Sequence, residues 1–220
     1  MKTLFMKTAS VILIISMLFV LSSCGKKLQA EPVIENEKIL SEVELLDFFA
    51  YDGSFVEDGS DADVKGIAAV KIKNNTADAY ELMKIEVRSG GEVYSFFVTA
   101  LMPEMTVTVL EKNKKVLSGE SSETSFSIIE SSRYKAEPSL YQDKFSFEVF
   151  DGIMNLKNIS GRDFDKDVYV YYKNKDDSGF LGGITYRINF GAIKKGALTQ
   201  HPSAHLKKDS SAILFITYGE

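Results

Sequence analysis

Apolar side chains return at every second position through most of this sequence. In "TSFSII" (124–129), Phe126 and Ile128 alternate with Ser125 and Ser127. In "ITYRINF" (184–190), Ile184, Tyr186, Ile188 and Phe190 alternate with Thr185, Arg187 and Asn189. "TVTVL" (106–110) and "FSFEVF" (145–150) follow the same rule. Successive side chains of a strand point to opposite faces, so this period specifies strands with one face buried and one wet. "AILFITY" (212–218) is apolar throughout and reads as a strand covered on both faces, or close to it. No segment after residue 42 carries a convincing helical stripe. The one ambiguous run, "EVELLDFFAYD" (42–52), is assigned to a strand on its aromatics. Turn residues separate the runs at Asn74-Asn75-Thr76, Ser89-Gly90-Gly91, Ser160-Gly161 and Asp176-Asp177-Ser178-Gly179. The expected fold class is all-β.

The pattern also repeats. Gly66-Ile67 can be laid on Gly152-Ile153, and Ile72-Lys73-Asn74-Asn75-Thr76 on Leu156-Lys157-Asn158-Ile159-Ser160. Each copy continues as strand, glycine turn, strand. Two such copies predict two tandem immunoglobulin-like β-sandwiches, over residues 43–135 and 136–220. A single large sandwich built from both halves is the rival, because all-β domains can reach this size. The strand, "KN", x, Ser/Thr, turn, strand signature resembles the small sandwich domains of Gram-positive lipoproteins and wall proteins, the FxLYD family among them. The matching residues are Leu156–Gly161 and Asp176–Gly179; the Leu-Tyr-Asp triplet is absent, and "VYVYYKNKDD" stands in its place. The resemblance implies a sandwich architecture outside the cytoplasm and brings no catalytic residue with it.

The N-terminus supplies an address. Lys2 and Lys7 precede eleven residues, Val11–Leu21, of which only Ser16 is polar. A bilayer-spanning helix needs about 20 apolar residues, so the run has the length of a secretory signal core. Leu21-Ser22-Ser23-Cys24 resembles the lipobox of bacterial lipoproteins: an aliphatic residue, two small ones, then cysteine. That resemblance implies a signal peptide over 1–23, cleavage between Ser23 and Cys24, and a diacylglycerol on the Cys24 thiol. It also accounts for the only cysteine of the chain, otherwise an odd free thiol in an exported protein. Two or more acyl chains hold a protein to a bilayer firmly where one binds reversibly. Residues 24–42 would then be the lipidated terminus and a polar tether, with Lys26 and Lys27 placed to meet anionic headgroups.

Loss of residues 1–23 removes two lysines and no acid from a chain of net charge −5, leaving 24 basic and 31 acidic side chains and a net charge of −7. Such a balance argues against nucleic acid as a partner, which demands clustered positive charge. With no second cysteine, the fold depends on its core, to which 15 Phe and 10 Tyr contribute.

Chemistry is sparse. His201 and His205 in "HPSAH" have the spacing of a zinc pair on a helix, but Pro202 and the polar surroundings point to a loop. "EDGSDAD" (57–63) offers Glu57, Asp58, Asp61 and Asp63 as oxygen ligands of the kind calcium takes, at no EF-hand spacing. "RDFDKD" (162–167) sets Asp163, Asp165 and Asp167 two apart among basic neighbours. No nucleophile elbow, phosphate loop or dinucleotide fingerprint occurs. The sequence therefore predicts no enzyme, no metal and no cofactor. The expected function is a non-catalytic protein-interaction or structural module, lipid-anchored through Cys24 on the extracytoplasmic side of the cell membrane. Its expected partner is an envelope protein or a wall polymer. The alternatives are a small-ligand receptor for a transporter and a hydrolase resting on His201 and His205. The predicted binding face comes from "DVYVYYK" (167–173). There the aliphatic set Val168 and Val170, with Tyr172, belongs to the core. Tyr169, Tyr171 and Lys173 point outward, beside Arg187 of the following strand.

Overall fold

The computed structural model describes residues 42–118 and 124–219, which lie in one compact unit. The lipobox, Cys24 and the tether up to residue 41 lie outside the described residues. As the alternation requires, the described chain is built of strands. They are β1 (Val43–Phe55), β2 (Ala62–Asn74), β3 (Tyr80–Ser89), β4 (Glu92–Leu101), β5 (Thr106–Leu110), β6 (Thr124–Arg133), β7 (Phe145–Phe150), β8 (Ile153–Asn158), β9 (Val168–Asp176), β10 (Gly179–Asn189), β11 (Leu198–Pro202) and β12 (Ser211–Tyr218). The ambiguous run at 42–52 is strand β1. No helix among the described residues is long and apolar enough to cross a membrane.

Strand pairing follows one scheme twice. In the first half β2 lies between β1 and β5, while β3 lies between β4 and β6; in the second, β8 lies between β7 and β11, and β9 between β10 and β12. The register agrees in detail. Val43 pairs with Asn74 and Lys73 with Thr106; correspondingly, Phe145 pairs with Asn158 and Lys157 with Leu198. The two "KN" asparagines are fully buried and make closely corresponding bonds. Asn74 Nδ2 donates to the carbonyls of Asp78, Leu101 and Met102, and its Oδ1 accepts from the Thr76 amide and hydroxyl. Asn158 Nδ2 donates to the carbonyls of Arg162 and Ile193, and its Oδ1 accepts from the Ser160 amide and hydroxyl. A buried amide without partners would cost about 1–3 kcal/mol, so each asparagine both closes a turn and fixes the strand that follows. The repeat legible in sequence is thus a repeated hydrogen-bond network.

The halves are not separate sheets. β5 pairs in parallel with β10 through Val107 with Phe180 and Thr108 with Leu181, giving a six-stranded sheet in the order β1-β2-β5-β10-β9-β12. Packed with it are the three-stranded sheets β4-β3-β6 and β11-β8-β7. One core fills the first half around Ile72, Tyr80, Met83, Phe96 and Val107. A second fills the other half around Phe145, Leu156, Val170, Tyr172 and Ile216. Each large side chain so buried contributes about 1.5–3 kcal/mol. β2 is buried on both faces: Ala68 and Val70 enter the first core, while Ile67 and Ala69 join Phe55, Val56 and Leu110 in a third, smaller cluster. β10 and β12 stitch the halves together, sending Phe180 and Leu214 onto the first core and Leu181 onto the third. The "AILFITY" run lies on both sides of its sheet as expected: Ile213 and Ile216 face the second core, Leu214 the first, and Phe215 is covered by Tyr171 and Tyr134.

Candidate functional site: an aromatic face and a buried clamp beside it

Alternation along β9 turns Val168, Val170 and Tyr172 into the second core and leaves Tyr169 and Tyr171 on the other face. The antiparallel register with β10 sets Arg187 opposite Tyr171 and Asn189 opposite Tyr169. The three residues expected to form a binding face are therefore neighbours. The Arg187 guanidinium lies 4.7 Å from the centre of the Tyr169 ring. Asp167 ties the corner, accepting from the Tyr169 hydroxyl at 2.8 Å and from Asn189 Nδ2 at 3.1 Å. That bond to Asp167 raises the Tyr169 phenol above its ordinary value. Tyr171 stacks on Phe215 of β12, with centroids 4.4 Å apart and planes 15° from parallel, and Tyr134 meets Phe215 edge-on at 5.4 Å. The rings are held by one another and present a rigid aromatic surface with a guanidinium at its margin. Rigid aromatic and arginine contacts are the type enriched at binding hot spots. Beyond Phe215 the surface falls into a cavity of about 480 Å³ lined by Glu81, Tyr134, Glu137, Tyr141 and Thr217.

Lys173 belongs to this face by alternation but is not exposed on it. It is fully buried. The cause lies in β10, where Gly182 to Thr185 interrupt the register between Leu181 and Tyr186 and leave a wide bulge opposite Lys173. The lysine turns into that bulge, and Nζ donates to the carbonyls of Gly182, Gly183 and Ile184 at 3.1, 2.8 and 2.6 Å. Glu57, from the loop after β1, satisfies the other side of the same backbone. It accepts from the amides of Gly183 and Ile184, and from Leu110 of β5. Burial pushes the Lys173 ammonium down to about 7, while the Glu57 charge pulls the other way. Burial likewise raises the Glu57 carboxyl, against three backbone amides and Lys173, which lower it. Thr99 of β4 completes the seam, donating to the Gly183 carbonyl and to the Thr185 hydroxyl, which in turn donates to the Thr99 carbonyl. Two glycines are required here. A β-carbon on Gly183 would lie 1.8 Å from the Phe97 carbonyl oxygen, and one on Gly182 would lie 2.5 Å from Val56 Cγ2.

The histidines do not act together. His201 Nδ1 lies 2.9 Å from the Pro202 carbonyl, with the ring against Phe190. His205 stacks on Tyr186 at 4.7 Å and meets Asp61 through Nδ1 at 3.1 Å. The acidic loop is likewise dispersed: Glu57 enters the bulge, Asp58 pairs with Lys114 at 2.9 Å, and Asp61 goes to His205. Lys194 bridges Asp163 and Asp165 at 3.1 and 2.9 Å. Among the described residues no three His, Cys, Asp or Glu side chains converge on a point where a metal ion could sit. Sequence reasoning missed the clamp. Its signal was the Gly182-Gly183 pair inside a strand pattern, which marks a bulge or a close backbone approach.

No protein-family model matches the chain, and no curated protein does. Among solved structures, the C-terminal globular domain of an oligosaccharyltransferase from Pyrococcus abyssi aligns over 82% of this chain at 12% identity and a TM-score of 0.13. The alignment spans half the length of that structure, and a likeness so slight carries no argument.

Proposed function

We propose that this protein is a lipoprotein held by an acylated Cys24 on the extracytoplasmic side of the cell membrane. There it acts as a non-catalytic interaction module, organised as two immunoglobulin-like sandwiches joined through a shared sheet. The observation that carries the binding role is the outward face of Tyr169, Tyr171 and Arg187, preassembled by Asp167, Asn189 and Phe215. A surface whose rings are already locked loses little side-chain entropy when a partner covers it, which is the condition for affinity from a small area. The dispersal of His201, His205 and the acidic loop onto separate structural partners favours this reading over hydrolysis, which needs a nucleophile, base and orienter in mutual reach. The partner is an envelope protein or wall polymer.

Fractionation of cells expressing the intact protein tests the reading. The protein is expected in the membrane fraction and, after gentle detergent extraction, to retain an envelope component. Cys24→Ala is expected to leave the chain soluble or unprocessed. A variant that remains processed at the same position and equally membrane-bound would contradict the lipid anchor. An intact protein that captures nothing from the envelope would contradict the binding role.

A further inference from the structure

Several aromatic rings of this protein are covered by its own cations. Eight such pairs occur among the described residues. Arg133 lies over Tyr80, Arg187 over Tyr169, and Lys144 over Tyr141. Tyr134 is not among the rings so covered. It lies half-buried at the junction of the 480 Å³ cavity with a second one of about 530 Å³, and none of these cations covers its ring. Beside it stands Glu81, whose charge, after burial, holds the Tyr134 phenol up at about 12. Glu81 and Glu137 are both exposed, line the smaller cavity, and have no cationic partner among the described residues. The cavity's lining contains one cation, Lys135. Lys144, near its Tyr141 end, is engaged with the Tyr218 hydroxyl. An aromatic ring that shares its groove with two carboxylates outside any ion pair and one lysine, on a chain of net charge −5, is complementary to a cation.

We propose that this groove receives a lysine or arginine side chain from an extended segment of a partner protein, its charge seated against Tyr134 between Glu81 and Glu137. The proposal rests on the reading of the neighbouring aromatic face as an interaction surface and adds what the partner must carry: a basic, accessible stretch rather than a neutral polymer. The seat lies where the floor of Phe215 and Tyr171 meets the groove, so one partner can cover both.

The whole chain in detergent, titrated with an unstructured lysine–serine peptide and with its glutamate–serine counterpart, tests this. The lysine peptide is expected to bind, to weaken at high salt, and to lose at least tenfold in Kd with Glu81→Gln or with Tyr134→Leu. Because Tyr134→Leu can disturb the packing on Phe215, Glu81→Gln, an exposed change, is the decisive variant. Glu148→Gln, an exposed carboxylate on the far three-stranded sheet, is expected to leave Kd unchanged. Equal weakening by Glu148→Gln and Glu81→Gln would reduce the effect to general attraction by an acidic protein and overturn the proposal. So would equal binding of the glutamate peptide, or no binding of the lysine peptide. None of these results depends on the lipid anchor or on Tyr169 and Tyr171, so the groove can fail while the interaction reading stands.

Discussion

Lys173→Met should cost about 3 kcal/mol or more of folding stability, although the sequence pattern makes Lys173 look like a surface residue. The substitution leaves the carbonyls of Gly182 and Ile184 without their donor and strands the buried Glu57 charge. Removing the ammonium also removes the cost of burying it, which offsets part of the loss. The unsatisfied backbone and the lone carboxylate outweigh that gain. Combining it with Glu57→Gln should cost less than the two changes summed, because the second charge is no longer stranded. The pH dependence has a definite sign. Between about pH 7 and 10.5 the folded chain holds Lys173 as a neutral amine while the unfolded chain still binds its proton. Unfolding then takes up a proton, and stability rises with pH by up to about 1.4 kcal/mol per unit. Below pH 7 both states are protonated and the burial cost is present in full. Urea midpoints at pH 7 and pH 9 check this: the wild-type chain should gain stability between them by an increment that Lys173→Met lacks.

Gly183→Ala should cost about 3 kcal/mol or more, by a different route. The added carbon would overlap the Phe97 carbonyl oxygen at 1.8 Å and crowd Val109 Cγ1 at 2.9 Å, and both neighbours belong to strands fixed in the first half. β10 must move away from β4, and the Thr99–Thr185 bonds and the grip of Glu57 move with it. Gly191→Ala makes the comparison. There the backbone is left-handed, with φ of 64°, and nothing lies within 4 Å, so the cost should stay near 1 kcal/mol. If thermal denaturation shows the two variants equally affected, the close crossing of β10 over β4 is not what stabilises the seam.

These two sites mark where the sequence ceased to be legible. Strands, turns and the repeat were readable because they follow from local pattern: alternation at Phe126 and Ile128, or an asparagine that closes its own turn at Asn74 and again at Asn158. The outward placement of Tyr169, Tyr171 and Arg187 was readable for the same reason, since pleat and register decide it. Lys173 was not readable. A period of two predicts its face correctly, but burial depends on a bulge in a strand that follows a hairpin and on a carboxylate more than a hundred residues upstream. The parallel pairing of β5 with β10 is likewise a long-range event, with no local signal in either strand. Tyr134 stands at the expected boundary of the first sandwich, where no alternation marks it. Its significance comes from Phe215 and Glu81, which only the fold places beside it.

In the proposed function, the face of Tyr169 and Tyr171 is there to be covered by a partner rather than to hold the sheet together. The direct measurement pairs envelope binding with thermal stability in Tyr169→Ser/Tyr171→Ser. Cross-strand packing alone is worth roughly 0.2–1 kcal/mol per pair, a few degrees of Tm at most in a chain of this size. The double variant is expected to keep a Tm within a few degrees of the wild-type value and to retain the envelope component at least tenfold more weakly. Unchanged retention with a clearly lowered Tm would contradict it and return both tyrosines to the structure of the sheet.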